Sequence, residues 1–343
     1  MIVALVEVIP DDEQVVMTGA ASSDMQIEQP ARAIELLEKA LAVRKAALGP
    51  DHLDTSATMD ALAEAYREAG KSDLAIPLCE ETVRVRTAKL GPNHKDTLES
   101  RWGLALAYHS DKQYDKAIPL LEESLWYVST VLGVNHYRTE QCRSLLNRAY
   151  HANGNGDKAV RLLDDALKAL KKTPDYEWAS RSIVIAFEEI GQHARAEPLR
   201  RAEVEIARKP NGWAVSGALA ELGLNLLQQN KYAEVEPLLR ECLEIRVKLQ
   251  SDVWFTFNTK SMLGGALLGQ KKYADAEPLL LAGYEGMKQR EKTIPTNGKI
   301  RLPEALDRLI ELSTATNKPD DVKKWQAERA KYPAVAPMPQ LKK

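Results

Sequence analysis

Six histidines, three cysteines and 49 acidic side chains are the residues of this 343-residue chain that could bind a metal, attack a substrate or move a proton. Their spacing argues against all three. His52, His94 and His136 end the segments LGPDH, LGPNH and LGVNH, each 42 residues after the last. Equivalent residues of neighbouring stacked units lie about 10 Å apart, whereas a Zn–N bond is about 2 Å, so this column cannot share an ion. Each imidazole is read instead as bonding backbone groups before the next helix. His109 and His151 form a second column, and His193 reads as a turn residue. Cys79, Cys142 and Cys242 are 63 and 100 residues apart, too scattered for a disulfide framework or a zinc site, and read as small apolar packing in a reducing cytoplasm. The pairs Glu80-Glu81, Glu122-Glu123 and Asp164-Asp165 keep the 42-residue step, which predicts a solvated outer face rather than one acid–base pair. With no nucleophile elbow, phosphate loop or His-Glu-x-x-His segment beside them, the expectation is a chain without catalytic residues, metal or cofactor.

The elements that position these residues follow from the same period, which marks a repeat array. Thr55, Thr97 and Thr139 keep the step, as do Tyr66, Tyr108 and Tyr150, and Ala75, Ala117 and Ala159. Met59, Leu62, Ala63 and Tyr66 recur at helical spacing, Gly70-Lys71-Ser72 interrupts, and Leu74, Ala75, Leu78 and Cys79 restart the pattern. Each period is therefore two helices joined by a short turn. The second opens as AIELL from Ala33, AIPLC from Ala75, AIPLL from Ala117 and AVRLL from Ala159, with a small residue where paired helices approach closely. Pro77 and Pro119 are read as marking helix starts, where the first donors have no acceptors to lose. Beyond residue 170 the spacing loosens, with later copies of the small column at Ala196, Val235, Ala276 and Val322. Seven second helices and six well-supported first helices follow the opening unit.

The linker LGxxHxDT and the following helix resemble the tetratricopeptide repeat of the kinesin-light-chain type. His52-Leu53-Asp54-Thr55 and His94-Lys95-Asp96-Thr97 keep most of that linker, although the family's proline is replaced by Leu53, Lys95 and Tyr137. The family's asparagine pair, which helps hold a bound peptide's backbone, becomes Asp60-Ala61, Trp102-Gly103 and Ser144-Leu145. The segments from Phe257 and from Thr316 are similar to the C-terminal repeat region of bacterial serine/threonine protein kinases. No glycine-rich phosphate loop, His-Arg-Asp or Asp-Phe-Gly motif is present, so that relative's activity does not carry over. The resemblance implies an all-α, right-handed superhelix, a solenoid of antiparallel helix pairs, over residues 30–333 in about seven units. Residues 1–29 read as a degenerate or frayed lead-in, and 334–343 as a disordered tail after Pro333.

With 47 basic against 49 acidic residues, the net charge of -2 gives neither a nucleic-acid footprint nor a polybasic membrane anchor. No run of about 20 apolar residues and no leader with a positive opening region is present, so the chain reads as cytoplasmic. The expected function is a non-catalytic scaffold that binds a peptide or protein on a concave wall of first helices. The alternative is a regulatory or substrate-recruiting segment separated from a serine/threonine kinase. Residues between the buried columns should face the wall: Trp102, Leu106 and His109, then Arg148 and His151, then Trp178 and Arg181. Two aromatics beside two arginines predict a partner with an apolar anchor next to acidic residues.

Overall fold

Fifteen α-helices, and no strand, occur among the residues that the computed structural model describes, which are 29–174, 176–208 and 212–332. The expected lead-in, apart from Gln29, and the expected tail lie outside the described residues. Helix α1 (Gln29–Leu48) stands first, and seven hairpins follow. They are α2 (Leu53–Glu68) with α3 (Ser72–Leu90), α4 (Lys95–Ser110) with α5 (Tyr114–Val131), α6 (Tyr137–Ala152) with α7 (Gly156–Leu170), and α8 (Tyr176–Glu189) with α9 (His193–Ala207). The last three are α10 (Gly212–Gln228) with α11 (Tyr232–Gln250), α12 (Trp254–Gly269) with α13 (Tyr273–Gln289), and α14 (Arg301–Ala315) with α15 (Pro319–Arg329). The first helices thus number seven rather than six. The chain forms two compact units divided between Val128 and Ser129, inside α5. In the first unit α1 packs on α2, α2 on α3, and α3 on α4; in the second, each helix from α6 to α15 packs on the next.

The recurring linker is a closed turn in which the glycine, the histidine and the threonine of the period each have a physical task. Gly49, Gly91 and Gly133 hold φ between 89° and 92°, a left-handed conformation that a side chain disfavours. Three residues on, the histidine has extended backbone and its Nδ1 accepts from the amide two residues later: His52 from Asp54 at 3.1 Å, His94 from Asp96 at 3.2 Å and His136 from Arg138 at 3.2 Å. This is N-capping by an imidazole, and it satisfies a first-turn donor that has no acceptor within the helix. The threonine then closes the loop, its hydroxyl donating to the glycine carbonyl: Thr55 to Gly49 at 2.9 Å, Thr97 to Gly91 at 2.9 Å and Thr139 to Gly133 at 2.7 Å. Before α12 the glycine and histidine are replaced by Gln250 and Val253, yet Thr256 still donates to Gln250 O at 2.7 Å.

Within each hairpin the chain reverses through one left-handed residue, which is Gly70, Gly154 or Gly191 in three turns and Lys112, Asn230, Lys271 or Asn317 in the others. The next amide bonds back across the turn, as in Lys71 N to Tyr66 O at 2.8 Å and Gln113 N to Tyr108 O at 2.9 Å, which covers helix carbonyls otherwise left open. Ala75, Ala117, Ala159, Ala196, Val235 and Ala276 are all fully buried, the small column that lets the helices meet. The prolines are placed differently from expectation. Pro77, Pro119, Pro198, Pro237 and Pro278 are each the sixth residue of their helix, past the donors that have no acceptor, so each removes a bond to the carbonyl of the second residue. All five prolines and their second residues are exposed, so water can take the freed carbonyl.

A leucine in place of Ala75 should overpack two helices and lower stability by about 1–3 kcal/mol, while His94→Ala, which removes one partly exposed cap, should cost about 1 kcal/mol or less. Urea unfolding of the two variants checks the ranking.

Candidate functional site

The residues with nucleophilic or metal-binding chemistry are occupied by packing. All three cysteines are buried, and burial pushes the Cys79 and Cys142 thiols up to about 12, leaving essentially no thiolate at neutral pH. Cys242 Sγ donates to Ser216 O at 3.1 Å. Among the described residues no group of three or more histidine, cysteine or carboxylate side chains converges on a common point. His193 is not a turn residue but the first of α9, half-buried, with its pKa lowered by burial.

The repeated carboxylates do more than face water. Glu80 accepts from the Tyr108 hydroxyl and Glu38 from that of Tyr66, tying each second helix to the first helix that follows it. Held beside a carboxylate and shielded from solvent, both phenols are pushed up to about 12. A second tie runs the same way through arginine: Arg44 Nη1 donates to Asp54 O at 3.0 Å and Thr58 Oγ1 at 2.8 Å, and Arg86 Nη1 to Asp96 O at 3.1 Å and Ser100 Oγ at 2.8 Å. In the second unit Arg246 repeats it on Phe255 O at 2.9 Å and Thr259 Oγ1 at 2.6 Å.

Asp60 on α2 lies 2.6 Å from Arg86 Nη1 and also accepts from Ser100 Oγ at 3.3 Å. Burial nevertheless dominates, pushing the carboxyl up to about 6 against the pull of Arg86. The guanidinium already serves Asp96 O and Ser100, so the acid has only a share of it.

The wall residues named from the sequence divide between the two units. In the first, Trp102, Leu106 and His109 lie along α4 and are half-buried, with the His109 ring edge-on to Tyr114 at 5.5 Å. In the second, Arg148 on α6 and Arg181 on α8 are exposed, without an ion-pair partner among the described residues, and Ile185 one turn beyond Arg181 is 44 % exposed. His151 is half-buried, and burial lowers its pKa. The side chain of Trp178 lies outside the described residues.

Two polar residues escaped the sequence reading. Arg143 and Asn147 of α6 are buried, in columns occupied by Met59 and Arg101 and by Ala63 and Ala105. Arg143 lines a cavity of about 160 Å³. For Asn147, a polar residue in an otherwise small, apolar column was the available signal.

Profiles of the tetratricopeptide repeat match residues 13–78, 69–125, 142–175 and 215–249, together more than half of the chain. This chain belongs to the tetratricopeptide repeat family. No curated protein matches this repeat protein in sequence. Among solved structures, it is similar to the nearly identical TPR-like repeats of a Podosopora anserina kinesin light chain, at 25% identity over 66% of this chain and 91% of that one, with a TM-score of 0.42. It is also similar to the apo form of the quorum sensor NprR from B. thuringiensis (15% identity, 89% and 84% coverage, TM-score 0.47) and to BtubC from P. vanneervenii (14%, 79% and 93%, 0.36). Among the described residues of this tetratricopeptide repeat protein, no helix is long and apolar enough to cross a membrane.

Asp60 has a folded pKa above its unfolded value of about 3.9, so its contribution is fully present below pH 4 and is lost as pH rises through about 6. Asp60→Asn should therefore gain stability relative to the parent between pH 4 and pH 7, on the order of 2 kcal/mol. Denaturant titrations of both proteins across that range check the sign; a relative loss would mean that the Arg86 pair outweighs burial.

Proposed function

We propose that this tetratricopeptide repeat protein is a non-catalytic interaction scaffold whose first helices receive a peptide or protein segment. The observation that carries the reading is the pair of exposed arginines, Arg148 and Arg181, without an ion-pair partner among the described residues, on successive first helices of the second unit, with the exposed Ile185 beside one of them. Cationic groups next to exposed apolar surface suit a partner that presents acidic residues flanking an apolar anchor. In the first unit, Trp102 and Leu106 lie one turn apart on α4, each with part of its surface open. Aromatic anchors dominate binding energy where they insert into a partner, while rim charges chiefly tune association rate and salt dependence.

A second reading, a recruiting segment joined to a kinase, is favoured only by the kinase-like segments from Phe257 and Thr316. Sequencing of the flanking reading frame decides it, since that reading requires an encoded kinase domain.

For a partner recovered by pulldown, Trp102→Ala should weaken binding about tenfold or more, the loss expected of an anchor residue, and Arg148→Ala should mainly flatten the salt dependence. Titration calorimetry at two salt concentrations checks both. Unchanged affinity in a folded Trp102→Ala, Arg181→Ala double variant would reject these faces as the binding surface.

A further inference from the structure

Arginine occupies the same column of two successive first helices with opposite consequences. Arg101 on α4 forms an ion pair with Glu123 of α5. The position 42 residues beyond Glu123 is Asp165, one methylene shorter, and it pairs with Lys168 at 3.1 Å on an exposed surface. Arg143 on α6 is only 6 % exposed and has no hydrogen-bond or ion-pair partner among the described residues. Burial disfavours its charged form, and Glu140, one turn earlier on the same helix, compensates only in part. A buried charge without a partner is among the most costly features a fold can retain.

The guanidinium borders open space. Arg143 lines the cavity of about 160 Å³ between α6, α7 and α8 together with Ser144, Ser182, Glu140 and Glu189, and its apolar wall includes Leu163 and Ile183. At about 30 Å³ per water this space takes roughly five waters, enough for a small acid group with a short hydrocarbon stem. The chemistry of the lining selects the ligand. The cation calls for an anion, and a guanidinium matches the two oxygens of a carboxylate. Ser144 brings a hydroxyl donor to the same space, the Ser182 hydroxyl being already donated to Ala179 O at 3.2 Å, and the leucine and isoleucine suit methylenes. Glu140 and Glu189 repel a second negative charge, which disfavours phosphate and sulfate dianions.

We propose that this cavity is a binding site for a single carboxylate on a short aliphatic stem, received by Arg143. The source is either a glutamate or aspartate side chain of a bound peptide or a free small carboxylic acid. The cavity shares Ile185 with the proposed binding face but neither Arg148 nor Arg181, so it stands even if those two arginines bind nothing.

The test follows the Arg143 Nε–H signal in the ¹⁵N-labelled full chain, assigned by its loss in Arg143→Lys. Propionate and the capped peptide acetyl-Gly-Glu-Gly-amide are the two carboxylate probes; propionamide and the Gln peptide are their neutral counterparts. A saturable shift with a carboxylate probe and none with its amide is the expected result. A response to propionate alone assigns the site to free acids, and a response to the peptide assigns it to side chains. Glu189→Gln, which leaves the guanidinium in place, should tighten propionate binding by removing a like charge. No saturable response to either carboxylate, an equal response to propionamide, or phosphate binding as tightly as propionate would overturn the proposal.

Discussion

The closeness of the two helices in each hairpin is the constraint on which the rest of the structure depends. A side chain larger than valine at one position of the second helix would hold the pair apart, and that position is Ala75, Ala117, Ala159, Ala196, Val235 or Ala276, each fully buried. Where the second-helix column carries valine, Gly223 on the facing first helix has the space instead: a Cβ there would stand 2.7 Å from Leu239 Cδ2. The final close pair goes further, since a Cβ at Gly283 of α13 would meet the Ser261 amide of α12 at 2.6 Å. Once helices pack this tightly, the side chains of one face are committed, and only the opposite face can carry prolines, charges and a partner.

Between hairpins the stacking is held by groups that reach from a second helix to the next first helix. The arginine ties of Arg44, Arg86 and Arg246 end on a first-turn carbonyl and a hydroxyl, both neutral acceptors, so they fix the register without requiring a buried counter-charge. The tyrosine–glutamate ties of Tyr66 and Tyr108 act beside them. Against this regular scheme, Asp60 and Arg143 are exceptions. One is an acid whose arginine is shared with the scheme itself, and the other is a cation for which the repeat supplies no acid. Proteins tend to place such violations of local rules where they bind something.

The repeat, the hairpins, the small column and the capping role of His52, His94 and His136 were all legible in the sequence, because each depends on residues close together in the chain or on a fixed period. What remained hidden depends on partners about 30 residues apart. Glu80 read as a solvated residue because nothing in its own helix reveals that Tyr108 donates to it. The prolines were legible as recurring near helix starts, but the count of unpaired donors was wrong: the sixth residue needs an acceptor, and exposure of that face is what makes the loss tolerable. Arg148 and Arg181 are exposed, whereas Arg143 was passed over, since a column that accepts Met59 and Arg101 does not announce when its arginine lacks a partner.

The central claim is that arginines of the regular scheme hold the fold, whereas the unpaired arginine serves a ligand. Equilibrium unfolding of Arg246→Met and Arg143→Met in the same full chain tests it directly. Arg246 donates to Phe255 O, Thr259 and Ser216 O, and losing those charge-assisted bonds should lower stability by about 2–3 kcal/mol. Arg143→Met removes an incompletely compensated buried charge and should leave stability unchanged or raise it. Equal losses in the two variants would contradict the account, showing that Arg143 belongs to the scaffold rather than to a binding site.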